Sequence, residues 1–202
     1  TNAKIMQAVL EDIKKYAPNS KIIIVSNPLD AMVYAALKIL KFPREHVIGM
    51  AGILDSARMS HFICEKLGYG AGQIESSVMG GHGDAMVPLV NYSTVAGVSL
   101  PELLSKEDIE DIVTKTKNGG LQIVKLLETG SAYYAPAHAT SLMVEAILYN
   151  NKKIYPCSVM LDGEYDCKNV VSGVPVMLGS NGIEKIIELK LNEEQKDLFA
   201  NS

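Results

Sequence analysis

At 202 residues, 48% of them hydrophobic, the chain is long enough to bury a sizeable core in one or two domains. A net charge of -4 and a pI near 5.6, with no run of Lys or Arg, argue against a nucleic-acid or anionic-membrane surface. No apolar run approaches a membrane span and no signal peptide opens the chain.

The chain opens on a predicted helix over 2–16, with Ile5, Met6, Val9, Leu10 and Ile13 at helical spacing and lysines opposite. Pro18 and Asn19 end it. The β-branched run 21–26 predicts a strand covered on both faces, and Asn27-Pro28 breaks it. A helix over 29–40, a short strand over 46–50, a helix ending at Gly68 and a strand over 74–79 follow. Strand and helix alternate, so a parallel sheet with helices on its faces is expected. Ligands bind beyond the carboxyl ends of such strands. Asn27, Met50 and His82 each stand at or just after a strand end, so all three are expected at one edge.

The second half changes character. Residues 87–98 read as extended. A long helix is predicted over 106–129, with Ile109, Ile112, Val113, Thr116, Leu121, Val124 and Leu127 as its apolar stripe and Gly119-Gly120 as a kink. Gly130 separates it from a helix over 137–150. Strands are expected over 154–162 and 170–178, joined by the turn Asp162-Gly163-Glu164-Tyr165. A strand over 183–191 and a helix capped by Asn192 complete the chain. The fold class is therefore α/β, the later part of a parallel Rossmann-type sheet followed by an α+β unit with antiparallel strands. The division is placed at 1–80 and 81–202.

Two stretches carry chemistry. Gly80-Gly81-His82-Gly83-Asp84 sets a histidine among glycines just after a strand, where a ligand can approach the backbone closely. Imidazole takes and returns a proton near neutral pH. Upstream, Asp55 and Arg58 share a helix face. A buried Asp beside a His fixes the ring tautomer and stabilises the imidazolium. An Arg one turn on grips a carboxylate with two hydrogen bonds. The plain alternatives are a glycine-rich turn with an incidental histidine and a solvated Asp–Arg pair. Gly68-Tyr69-Gly70-Ala71-Gly72 imitates a dinucleotide fingerprint but follows a helix and lacks the third glycine, so it reads as a helix C-cap and loop. Cys64, Cys157 and Cys167 lack metal-ligand spacing, so no metal is expected. They fit a reducing cytoplasm, with Cys64 as helix core.

Three stretches, Val25-Ser26-Asn27-Pro28-Leu29-Asp30, Gly49 to Arg58 and Gly80 to Asp84, occur in an order that resembles the NAD-dependent malate and lactate dehydrogenases along nearly the whole chain. The resemblance implies NAD as cofactor and a 2-hydroxy acid as substrate. It implies His82 as proton acceptor and donor, Asp55 as its partner and Arg58 as the clamp on the substrate carboxylate. It implies Asn27 against substrate and nicotinamide, with Val25, Ser26 and Asn2 along the cofactor and Ser131 or Ala132 in the segment that closes over the substrate. Gly81 before His82, Met50-Ala51-Gly52 and Tyr134-Ala135-Pro136-Ala137 resemble the malate branch, so malate and oxaloacetate are expected and lactate is the alternative. The family implies a homo-oligomer, dimer or tetramer, and a role in the tricarboxylic acid cycle. It also places the phosphate loop, the ribose-binding acid and the mobile-loop arginines ahead of Thr1. The remaining alternative is a non-catalytic folded fragment, and the 202-residue chain alone is expected not to turn over.

Overall fold

The computed structural model describes residues 2–202. Helix α1 (Asn2–Tyr16) precedes strand β1 (Ile22–Ile24), helix α2 (Leu29–Leu40), strand β2 (Val47–Gly49) and helix α3 (Gly52–Leu67). Short strands follow: β3 (Ile74–Glu75), β4 (Val78–Gly80), β5 (Met86–Pro88), β6 (Thr94–Val95) and β7 (Val98–Ser99). A turn of helix, α4 (Leu100–Leu103), leads into the long α5 (Lys106–Leu127) and then α6 (Tyr134–Leu148). The chain closes with β8 (Lys153–Asp162), β9 (Lys168–Gly179), β10 (Gly182–Ile186) and α7 (Glu193–Ala200).

Seven strands form one mixed sheet in the order β1-β2-β8-β9-β4-β5, with β10 pairing the end of β9 beyond its contact with β4. Only β1 and β2 pair in parallel; every other pair is antiparallel. This corrects the expected edge. Three antiparallel steps separate β2 from β4, so the strand before His82 runs opposite to the strand before Met50. The loops still converge, because Gly49, Ser158, Gly173 and Gly80 pair in one row across four strands. A Cβ at Gly173 would collide with the Gly80 carbonyl oxygen, so the row closes only on small residues.

The run 74–79 is not one strand. β3 joins β6 and β7 in a separate three-stranded sheet, and β4 joins the large one. Serines cause the break. Ser76 donates its hydroxyl to the Ser56 carbonyl at 2.6 Å, and the Val78 amide donates to Ser56 Oγ at 3.0 Å. Side-chain bonds of this kind replace the ladder. The extended reading of 87–98 likewise resolves into β5, a helical turn, β6 and the start of β7. The last predicted strand stops at Ile186.

Three apolar clusters hold the layers. Leu10 of α1 and the inner face of α2 pack on β1 and β2. Ile5 and Val9 of the predicted α1 stripe stay exposed instead. The central cluster sets Ile53, Leu54, Met143 and Phe199 against β8 and β9. A third joins α3, through Met59 and Ile63, to Ile112 of α5. α5 runs as a single helix, and Gly119-Gly120 marks where it meets Arg58 on α3, not a kink. The second half of its predicted stripe is exposed at Leu121 and Val124. Gly68 caps α3 in the left-handed conformation, φ 68°, as its C-cap reading requires. Asn192 builds the capping box of α7.

The β8–β9 hairpin is tied back to the first half by Arg44. Its guanidinium donates to both Glu164 oxygens, at 2.8 and 3.1 Å, and to the Met160 carbonyl at 3.1 Å. Arg44 thereby holds the Glu164 carboxyl down at about 2, against an ordinary value of 4.5. A carboxylate whose folded value is depressed stabilises above its unfolded value and ceases to as pH falls through the folded one. Glu164→Gln is therefore expected to cost about 1 kcal/mol near pH 7. Denaturant titrations should show the gap from wild type closing as pH falls from 4.5 towards 2. A gap that stays constant over that range would place the cost elsewhere.

Candidate active site

The site is built where α3 starts. Gly52 opens that helix against β4 and β8: a Cβ there would overlap the Val78 carbonyl oxygen and Pro156. Asp55, one turn in, is thus pressed under the loop that follows β4. It is 1% exposed, and an uncompensated carboxylate there would be costly. Asp55 has two partners. Oδ2 lies 2.8 Å from His82 Nδ1, and Oδ1 accepts from Arg58 Nη1 at 3.0 Å. A carboxylate only accepts, so Nδ1 carries the hydrogen and Nε2 is the open, basic nitrogen of the ring.

The His82 loop is held from behind as well. Its backbone N–H donates to Asp30 Oδ2 at 3.0 Å. Gly80 and Gly83 adopt φ of 80° and 130°, which side chains resist, and so turn the loop tightly around His82. Burial pulls the His82 imidazole down, but the hydrogen bond and charge of Asp55 outweigh that. With Asp30 adding to them and Arg58 opposing, the net shift is above the usual histidine value of 6.5.

Beside it, a cleft of about 650 Å³ opens. Its wall includes Val25, Asn27, Asp55, Arg58, His82, Ser131 and Ala132, so these sequence-predicted residues come together. Two do not reach it. Ser26 is exposed outside the wall, and Asn2 stands behind it, donating its side-chain amide to the Asn27 carbonyl at 2.9 Å. Asn27 itself is joined to Pro28 by a cis peptide bond.

Arg58 faces the cleft with capacity to spare. A guanidinium has five N–H donors; among the described residues its side chain bonds only Asp55, and its buried Nε has no partner. Its stem lies against Gly119 and its terminal nitrogens against Gly120. Residues that sequence reasoning missed are Asp30, Ser158, Lys117 and Gly120. Lys117, Gly120, Leu121 and Val124 recur at helical spacing and bring one face of α5 to the cleft. Of these, Leu121 and Val124 belong to the expected apolar stripe and Gly120 to the expected kink, and an apolar stripe does not by itself distinguish a cleft wall from a core.

A buried carboxylate hydrogen-bonded to an imidazole, with a guanidinium one helical turn on that has donors to spare, is an arrangement able to exchange a proton and to grip an anion. The chain belongs to the lactate/malate dehydrogenase family. Residues 1–49 match the profile of the lactate/malate dehydrogenase NAD binding domain, and residues 53–202 match that of the lactate/malate dehydrogenase alpha/beta C-terminal domain. It is 62% identical over 202 residues to the malate dehydrogenase of Aliarcobacter butzleri (strain RM4018), covering 100% of this chain and 64% of that protein. The chain thus spans less than two thirds of the length of that relative. The crystal structure of Cryptosporidium parvum malate dehydrogenase superposes with a TM-score of 0.98 at 41% identity, over 100% of this chain and 66% of the other. The lactate dehydrogenase from Eimeria maxima, solved with NADH and oxamate, gives 0.97 at 44% identity, over 100% and 62%.

Proposed function

We propose that the chain is the catalytic-site portion of an NAD-dependent malate dehydrogenase, interconverting malate and oxaloacetate. The observation that carries this is the His82–Asp55–Arg58 constellation on one cleft wall. Identity to proteins named malate dehydrogenase, 62% for the one from A. butzleri, favours malate over lactate.

The residues present fit the cofactor's reactive end. Val25, Met50, Leu54 and Pro136 give the cleft an apolar side, suited to a planar ring, while Asn27 supplies a polar group beside it. Val25 and Asn27 would hold that end of NAD, with Asn2 steadying the Asn27 backbone and Ser26 on the outer side. When bound, NAD accepts the hydride from the carbinol carbon in oxidation and returns it in reduction. Arg58 binds the carboxylate next to that carbon through its unpartnered donors, which fixes the hydroxyl towards His82. In oxidation the hydroxyl O–H bond breaks and its proton passes to His82 Nε2, leaving a carbonyl. Asp55 stabilises the resulting imidazolium through Nδ1–H. In reduction His82 starts protonated and returns that proton to the new alkoxide oxygen.

His82 above the usual histidine value sets the pH profile. Oxidation needs the neutral ring, so kcat/KM for malate should rise with pH through the His82 pKa. Reduction needs the charged ring, so kcat/KM for oxaloacetate should fall through the same point, above 6.5. Initial rates in both directions from pH 5 to 10 check this; a common inflection below 6.5 would contradict it.

The enzyme is further read as a cytoplasmic homo-oligomer serving the tricarboxylic acid cycle. Three free cysteines and the exposed apolar side chains of α6, Val144 and Leu148, support compartment and assembly. No helix among the described residues is long and apolar enough to cross a membrane. NADH-linked reduction of oxaloacetate against pyruvate by the whole protein tests the reading. Preference for oxaloacetate supports it, preference for pyruvate turns it to lactate, and no turnover of either favours a non-catalytic folded unit.

A further inference from the structure

Asp30 is a carboxylate in the first turn of α2, half-buried, with no counter-ion among the described residues. Both its oxygens are used. Oδ2 accepts the backbone N–H of His82 at 3.0 Å, and Oδ1 accepts the Ser158 hydroxyl at 2.5 Å. The partners lie 52 and 128 residues away in sequence. Ser158 belongs to β8 and stands in the four-strand row with Gly49, Gly173 and Gly80, so it is a fixed point of the sheet. It is fully buried, and its hydroxyl has one rotatable bond to fix. The loop between Gly80 and Gly83 is otherwise made of glycines, which hold no conformation by themselves.

Resting on the proposed catalytic role of His82, we infer that Asp30 is a positioning residue for that base. It clamps the His82 backbone to α2 and β8, and it sets a second anion behind the ring. Asp55 orients the imidazole from its side chain; Asp30 orients it from the main chain. Asp30 stands three residues after Asn27, in the first turn of the helix that the connection from β1 enters. One segment therefore places both the polar group for the cofactor end and the clamp for the base.

The charged groups around His82 are Asp55 and Arg58 of α3, Asp30 of α2, Asp84 of its own loop and Lys117 of α5 across the cleft. Of the anions, Asp55 and Asp30 both favour the charged ring. Asn at position 30 keeps an acceptor oxygen of the same shape but no charge, whereas Ala keeps neither. The two variants thus separate charge from clamp.

The test uses Asp30→Asn and Asp30→Ala in the whole protein, with the His82 ring followed by NMR titration as well as by turnover. Both variants should lower the His82 pKa, since each removes an anion that favours the charged ring. Asp30→Ala should also cut kcat by about 10- to 100-fold with little change in NADH affinity, and Asp30→Asn should recover most of that loss. If the titration stays at its wild-type position in both, Asp30 only braces α2 against β8 and the inference is overturned. An isosteric Asn keeps the titration measurable even where Ala fails to fold. The titration needs no turnover, so a lowered His82 pKa in a protein that reduces neither oxaloacetate nor pyruvate would sustain the Asp30 charge against the ring while refuting the proposed reaction.

Discussion

Replacing His82 with Asn in the whole protein is expected to lower kcat/KM for oxaloacetate by at least about 10²- to 10⁴-fold. NADH affinity should change by no more than about two-fold. The separation follows from the geometry. An Asn amide can still donate to Asp55 Oδ2, so the buried carboxylate keeps a partner and the α3–loop contact survives. What disappears is Nε2, the only atom of this side chain able to shuttle a proton at neutral pH. Proton transfer contributes to the barrier only when substrate reacts, so binding of the reduced cofactor, which involves the Val25 and Asn27 end of the cleft, should be untouched. Single-turnover measurements with saturating NADH would show the loss in the chemical step. Unchanged turnover would remove His82 from the mechanism. A parallel collapse of NADH binding would mean that the loop, not the imidazole, had been lost.

Why His82 could be found in the sequence, and Asp30 could not, is a matter of range. The Asp55–Arg58 spacing is local and helical, and the glycines around His82 are a local signature of a tight loop. That the two stretches meet depends on Gly52 fitting under Val78, a contact that no periodicity encodes. The Asp30–Ser158 pair spans 128 residues and links a helix start to the middle of a hairpin strand. Serine in a strand and aspartate in a first helical turn are each ordinary residues in ordinary places, so neither draws notice alone.

Residues 74–79 have strand composition, but the hydroxyls of Ser56, Ser76 and Ser93 compete for the backbone and split the run between two sheets. The α5 stripe has the correct period for burial, yet Leu121 and Val124 face the cleft, because a cleft wall and a core present the same apolar repeat. Gly119-Gly120 looks like a helix breaker in sequence. In the fold it is the low ground over which Arg58 lies.

Arg58→Ala should be the second most damaging change, and its effect should split in a way that identifies its role. The guanidinium has donors left for a carboxylate, and a charge-assisted hydrogen bond is worth about 1.5–3 kcal/mol. Loss of two such bonds implies a fall in kcat/KM of roughly 10²- to 10⁴-fold, with KM for oxaloacetate rising steeply. Part of the loss should fall on kcat, since the carboxylate anchor also aims the reacting oxygen at His82. A second signature comes from Asp55. Arg58 donates to its Oδ1 and, by its positive charge, opposes protonation of His82. Without it, the imidazolium faces Asp55 and Asp30 unopposed, so the inflection in the pH–rate profile should move upward. Arg58→Lys restores the charge but not the planar fork. It should return the inflection towards its wild-type position while recovering little of KM. An effect on KM no larger than that of an exposed surface cation, or an inflection that does not move, would leave Arg58 as a structural neighbour of Asp55 and require another group to hold the substrate carboxylate.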